Sequence, residues 1–362
     1  MAEPTPAVSL LDHHTVPGQL YRVEGGRLRC VACGHRCLLP PGRRGVCKVR
    51  VNTDGELRVP FGYTAGVACD PVEKKPFFHV RPGAGAFTFG MLGCDLHCAY
   101  CQNWFTSQTL RDEAASTRLQ PTTPERLVEG ARRAGAALMV SSYNEPLITA
   151  EWAAAVFGAA RPAGLLCAMV SNGNATPEVL DYLRPGLDAL KIDLKSFRDA
   201  RYRQLGGTLA RVTETIRAVC RAGLWLEVVT LLVPGFNDEP AELRDIAEFL
   251  GSVSRDLPWH VTAFHPDYRM TGPRPAAVDD LLRAAEIGAN AGLRYVYAGN
   301  LPGRVGDWEN TQCPGCHETL IERRGFHVRR NRLTPAGECP RCRWAIPGRW
   351  DGPRSPAPSP ST

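Results

Sequence analysis

Residues 93–101 read Gly93-Cys94-Asp95-Leu96-His97-Cys98-Ala99-Tyr100-Cys101, three cysteines spaced C-x3-C-x2-C. They directly follow a short apolar run at 87–92 with the character of a buried strand. Four-iron clusters are usually held by four thiolates, one per iron. Three cysteines in so tight a loop leave one iron without a protein ligand, and an open metal position can bind a small molecule directly. The competing possibility is a three-thiolate zinc site completed by His97 or another histidine.

Working outward, segments 87–92, 137–142, 165–171, 190–194, 226–233, 261–264 and 295–298 read as strands, with helical patterns between most of them. Thr123-Pro124-Glu125 is a helix start with proline at the first helical position. Leu243, Ile246, Ala247 and Leu250 fall on one helical face. This alternation predicts βα units of a parallel sheet or barrel. Polar or unusual residues sit at successive strand ends: Tyr143-Asn144-Glu145-Pro146, Ser171-Asn172-Gly173, Lys191-Ile192-Asp193-Leu194-Lys195, Val233-Pro234-Gly235-Phe236-Asn237-Asp238 and Phe264-His265-Pro266. In a barrel, that is the face where chemistry is done.

Of fourteen cysteines in 362 residues, eleven form three clusters. No apolar run reaches the ~18 residues that span a bilayer, and the start, Met1-Ala2-Glu3-Pro4, lacks the pattern of a secretory signal. The expected setting is therefore cytoplasmic and away from membranes, where clustered cysteines are metal ligands rather than disulfides. Cys30, Cys33, Cys37 and Cys47 suit zinc or an auxiliary iron–sulfur cluster. They lie in a Gly-, Pro- and Arg-containing stretch, 20–85, that reads as a small module held by a ligand rather than by a core. Cys313-Pro314-Gly315-Cys316 and Cys339-Pro340-Arg341-Cys342 form two knuckles close to a four-cysteine zinc ribbon. His317 and Arg343 stand where such knuckles usually carry glycine. The ribbon segment, 306–350, is short of apolar side chains and should fold only with its metal, as a unit separable from the barrel. Between 313 and 350, eight arginines face three glutamates, a local charge of +5 in a chain of net +6. Residues 1–19 are expected to be flexible and 351–362 disordered, leaving the barrel at 86–305. Cys69, Cys167 and Cys220 read as packing residues.

The cysteine loop resembles that of radical SAM enzymes, matching C-x3-C-x-aromatic-C residue for residue. Segment 30–52, Asp70-Pro71-Val72-Glu73-Lys74-Lys75-Pro76 and Gln102-Asn103-Trp104 further resemble the radical SAM enzyme of the AmmeMemoRadiSam system, a family similar to pyruvate formate-lyase (glycyl-radical enzyme) activating enzymes. The resemblance implies an α/β fold: a partial (β/α)6 radical SAM barrel with a cysteine-rich N-terminal module and a zinc-ribbon-like C-terminal module. It implies a [4Fe-4S] cluster on Cys94, Cys98 and Cys101, with S-adenosylmethionine (SAM) chelating the fourth iron. Reductive cleavage would give methionine and a 5′-deoxyadenosyl radical that abstracts hydrogen from a substrate. Tyr100 would lie near the adenine, Asn144 and Glu145 would occupy the place of a Gly-Gly-Glu motif, and Asn172, Asp193, Lys195 and His265 would complete the SAM site. Val170 departs from the activases, which carry Asp there. The implied substrate is a protein and the electron donor a reduced flavodoxin or ferredoxin. The alternatives are an RNA-modifying radical SAM enzyme, suggested by the arginine-rich ribbon, and a zinc-held interaction scaffold.

Overall fold

The computed structural model describes residues 11–350 apart from 113 and 116. The expected flexibility of 1–10 and disorder of 351–362 lie outside the described residues. Eight strands form one sheet in the order Val296–Gly299, Trp259–Ala263, Trp225–Leu232, Ala189–Asp193, Leu166–Ser171, Leu138–Ser141, Gly85–Gly90, Gly66–Pro71. The first seven are mutually parallel. All seven strands expected from the sequence are there, their ends moved by one or two residues. The sheet thus extends one parallel strand beyond the six of the expected barrel, and Gly66–Pro71 adds an antiparallel edge.

Local chemistry explains the elements. Leu138–Ser141 and Trp259–Ala263 are buried at every position, the continuous pattern of parallel strands covered on both faces. Thr123 accepts a hydrogen bond from the Arg126 N–H and starts helix Pro124–Arg133, which turns Leu127, Val128 and Ala131 inward. Thr176 caps Pro177–Leu183 the same way. Leu243, Ile246, Ala247 and Leu250 are buried along Pro240–Val253.

The N-terminal region departs from expectation. Residues 11–19 are tied down: Leu11 is fully buried, and Thr15–Pro17 pairs with Glu56–Pro60, which also pairs with Val51–Thr53. The stretch 20–85 is held by apolar packing against the barrel, because Leu28, Val31, Leu39, Val49, Leu57 and Val59 join the barrel's apolar cluster. Arg50 and Glu151 form a buried bidentate pair across that contact. Spread among glycines, prolines and arginines, these apolar residues show no period along the chain.

The C-terminal segment also packs on the barrel. Its strands Thr311–Gln312, Thr319–Arg324 and His327–Asn331 form an antiparallel sheet. Cys313, Leu320, Ile321, Cys339 and Ile346 share a core with Tyr295 and Tyr297 of the barrel and Phe78 of the N-terminal region. Arg323, one of the eight arginines of the basic stretch, is buried. It donates to Phe78 O at 2.7 Å, to Thr311 Oγ1 at 2.8 Å and to Glu73 at 3.4 Å.

These contacts close the floor of the barrel, at the N-terminal ends of its strands. Glu227 accepts from the Phe78 and His79 N–H groups at 2.9 Å, from Trp225 Nε1 at 3.0 Å and from His260 Nε2 at 2.7 Å. Burial holds the His79 imidazole down at about 4, hence neutral. Its Nδ1–H then donates to Pro347 O at 2.7 Å, and Nε2 accepts from the Tyr297 hydroxyl at 2.6 Å. Tyr297 in turn meets Thr311 Oγ1 at 2.9 Å.

Candidate functional site

Above the floor, at the C-terminal ends of the strands, lies a cavity of about 390 Å³. Cys94, Cys98 and Cys101 line it together with Tyr100, Asn144, Glu145, Asn172, Asp193 and Lys195. The loop enters from Gly85–Gly90 through Gly93 at φ +93°, where an added Cβ would meet Val49 at 2.8 Å and the Cys47 carbonyl at 3.0 Å. The N-terminal region thus braces the loop from behind. His35 Nε2 lies 3.0 Å from Asp95 O, and the Gly34 N–H donates to Asn174 O.

Two of the sulfurs have hydrogen-bonding groups beside them. The Leu96 N–H points at Cys94 Sγ from 3.3 Å, and Ser107 Oγ lies 3.1 Å from Cys101 Sγ. Burial pushes the Cys98 thiol up to about 12, and raises Cys94 and Cys101 as well. A bound cation is what would make such buried thiols ionise. A zinc site completed by His97 is not formed, since His97 is exposed with its ring against Gly206, outside the cavity lining.

Glu145 accepts from Ser171 Oγ at 2.7 Å, Asn172 N–H at 2.8 Å and Leu147 N–H at 3.1 Å. Burial, then the nearby Asp95, pushes its carboxyl up to about 8. Asp95 accepts from the side-chain amides of Asn172 at 2.7 Å and Asn174 at 2.8 Å. Asn144 is occupied structurally: it accepts from the Met91 N–H and donates to Glu145 O. Opposite them, Asp193 sits between Lys191 and Lys195, and bonds Lys195 Nζ at 3.0 Å. Burial pushes Asp193 up, but the two ammoniums outweigh it and hold it at about 2. The Lys195 backbone is fixed by Tyr202 and Asn237. Tyr100 is buried edge-on against Phe236.

One expected residue is absent: His265 is exposed and does not line the cavity, because the chain turns outward after Phe264. Asp95, Asn174, Lys191 and Tyr143 went unmarked as site residues. For Lys191 the signal was available, since it shares the inward face with Asp193 two residues on. Asp95 and Asn174 act through contacts distant in sequence and left no such trace.

The two other cysteine sets differ. The sulfurs of Cys313, Cys316, Cys339 and Cys342 all lie within 4.8 Å of one another, the one group of cysteine, histidine or carboxylate ligands this compact among the described residues. His317 and Arg343 adopt φ of +59° and +63°, so both knuckles take the left-handed turn without glycine. Cys30, Cys33 and Cys47 are buried and Cys37 partly so, in a looser arrangement.

Comparison with known proteins gives a match to the Radical SAM superfamily over residues 89–250. The chain is 36% identical over 310 residues to an uncharacterized protein of Methanocaldococcus jannaschii, covering 85% of this chain and 91% of that one. It is 30% identical over 135 residues to the isethionate sulfite-lyase activating enzyme of Nitratidesulfovibrio vulgaris, covering 35% of this chain and 43% of that one. Among solved structures, a domain of a pyruvate-formate lyase-activating enzyme from Bacteroides vulgatus is similar at TM-score 0.39 and 19% identity, covering 44% of this chain and 98% of that one. Streptococcus suis SuiB bound to S-adenosylmethionine is similar at TM-score 0.45 and 13% identity, covering 57% and 48%. No helix among the described residues is long and apolar enough to cross a membrane.

Proposed function

This chain belongs to the radical SAM superfamily, and we propose that it is an activase-like oxidoreductase acting on a protein substrate in the cytoplasm, with reduced flavodoxin or ferredoxin as electron donor. When bound, the [4Fe-4S] cluster and SAM supply reductive cleavage to methionine and a 5′-deoxyadenosyl radical that takes a hydrogen from the substrate. The observation that carries this is one cavity lined by three cysteines, a carboxyl poised near neutrality and an Asp–Lys pair.

Cys94, Cys98 and Cys101 would hold the cluster, and the absence of a fourth cysteine from the loop would leave a coordination position for SAM. Glu145 receives the ammonium of SAM, whose charge favours its ionised form, while Ser171 and the Asn172 backbone fix its oxygens. Asp193 and Lys195 hold SAM from the opposite wall, and Tyr100 borders the adenine. Asn144 and Asn172 serve by positioning their neighbours through their side chains.

Cys313, Cys316, Cys339 and Cys342 bind one zinc, which suits four sulfurs brought this close. Cys30, Cys33, Cys37 and Cys47 form a second thiolate site, for zinc or an auxiliary cluster. The RNA-modifying alternative loses one arginine of its basic stretch, because Arg323 is buried and paired with Glu73. The test is anaerobic incubation of the reconstituted protein with SAM and a strong reductant. Formation of 5′-deoxyadenosine supports the assignment, and zinc without iron, with no deoxyadenosine, would leave a scaffold.

A further inference from the structure

The segment Asp70-Pro71-Val72-Glu73-Lys74-Lys75-Pro76 reaches the cavity at its C-terminal end with residues to which the cluster and SAM assignments give no role. Lys74, Lys75 and Pro76 line the cavity with Tyr143, Asn300 and Phe326. Asp70, at the end of the antiparallel edge strand, accepts from Lys74 Nζ at 2.9 Å and Lys75 Nζ at 3.0 Å. Lys75 is 5% exposed, and its Nζ donates to the Tyr143 hydroxyl at 3.2 Å and lies 4.8 Å from the centre of that ring.

The wall is rigidly built. Tyr143 has φ +70°, a conformation a bulky residue adopts only when its surroundings impose it. Thr106 Oγ1 donates to its carbonyl, and Gly90 makes room for it: a Cβ there would stand 2.5 Å from Ser142 O and 2.8 Å from Tyr143 Cβ. On the other side, Glu73 is fixed by Arg323 and by the Gly83 N–H. The C-terminal segment therefore positions Lys74 and Lys75, and it also supplies Phe326.

Two ammoniums here face a single carboxylate. A similar excess exists at Lys191–Asp193–Lys195, but that set lies at the cluster end, beside Cys98 and Tyr100. At the Asp70 wall, burial pulls the Lys75 ammonium below the usual lysine value even though Asp70 opposes it. Ammonium groups have three donors each, and two of those of Lys75 are used within the protein. The excess charge sits on Lys74, half-exposed at the cavity rim, where one added anion can meet it together with the buried Lys75.

We propose that Lys74, Lys75 and Tyr143 form the substrate subsite, and that it binds one carboxylate of a protein substrate, from an acidic side chain or the chain's end. The residual charge of one favours a monoanion, and lysine point charges without an arginine fork or backbone cradle do not favour a phosphate. This inference rests on the assignment of the cavity to SAM chemistry on a protein.

The test titrates reconstituted, SAM-loaded holoenzyme with three blocked tripeptides that differ at the centre: glutamate, glutamine or phosphoserine. The glutamate peptide should bind about tenfold to a hundredfold more tightly than the glutamine peptide, as for a charge-assisted hydrogen bond. Lys75→Met should erase that gap and Lys75→Arg should keep part of it, with iron content reporting that each variant has folded. If Lys75→Met does not load iron, Lys74→Met at the half-exposed rim should narrow the gap instead. Equal binding of glutamate and glutamine peptides, no binding of the glutamate peptide up to about 10 mM, or preference for phosphoserine overturns the proposal. Wild-type enzyme that makes deoxyadenosine yet fails this test loses only the subsite. Enzyme that makes none loses the assignment beneath it.

Discussion

The two ends of the barrel are both buried and both polar, but their hydrogen-bonding groups are used differently. On the floor, the Glu227 carboxylate receives four donors, and His79, Tyr297, Thr311 and Arg323 form a chain in which donor meets acceptor at each link. In the cavity above, Asp193 is shared by two lysines, Asp70 by two more, and Glu145 is driven toward its neutral form by burial and Asp95. A satisfied network fixes one structure, whereas an unbalanced one is held ready for a charged ligand. Loss of a residue should therefore cost stability at the floor and binding or chemistry in the cavity.

The largest effect expected is on the cavity side. Cys98→Ala should abolish deoxyadenosine formation, since two thiolates cannot hold three irons of the cluster. Wild-type rates in that variant would remove the catalytic half of the comparison. Next comes the floor. Arg323→Met leaves Glu73 buried without its cation, a change that typically costs ~3–5 kcal/mol. Its urea midpoint should fall accordingly, and removal of residues 306–350 should prevent stable folding altogether. A truncated chain that still assembles the barrel cluster would show the C-terminal segment to be an appendage after all.

Smaller is the effect of Lys195→Met or Asp193→Asn. Each removes a charge-assisted contact without touching a thiolate, so SAM affinity should fall about tenfold to a hundredfold while iron content stays. Unchanged affinity in both, measured by equilibrium binding, would separate this Asp–Lys pair from the cofactor.

What was legible in the sequence follows the same division. That the cysteine loop, Glu145, Asp193 and Lys195 share one end of the barrel was readable, because cysteine spacing and strand-end position are local properties of a chain. The seven parallel strands were readable from apolar runs and helix starts such as Thr123-Pro124. The floor was not, because the bonds that tie it together join distant segments: Phe78 to Glu227, His79 to Pro347, Glu73 to Arg323. Arg323 looked like one more surface charge in a basic stretch. Residues 11–19 and 20–85 misled for a related reason, since their apolar side chains pack on partners far along the chain. His265 failed in the opposite way: it has the expected neighbours in sequence, but the chain carries it outward.

The comparison makes a last, smaller prediction in which the two ends respond to pH with opposite sign. His79 has a folded value of about 4, below the usual histidine value near 6.5. The folded floor therefore binds fewer protons than the unfolded chain between those limits. Its contribution to stability is complete above pH 6.5 and is lost as pH falls toward 4, by a little over ~1 kcal/mol per pH unit. Glu145 lies at about 8, above the usual carboxyl value near 4.5, so its contribution is complete below pH 4.5 and is lost as pH rises toward 8. Urea midpoints measured across pH 4–8 should show His79→Gln flattening the acid side of the wild-type profile and Glu145→Gln flattening the alkaline side. A SAM-loaded sample should lose the alkaline slope without mutation, because the ligand's ammonium brings Glu145 back down. If both variants flatten the same side, the two ends do not differ in the way their hydrogen bonds imply.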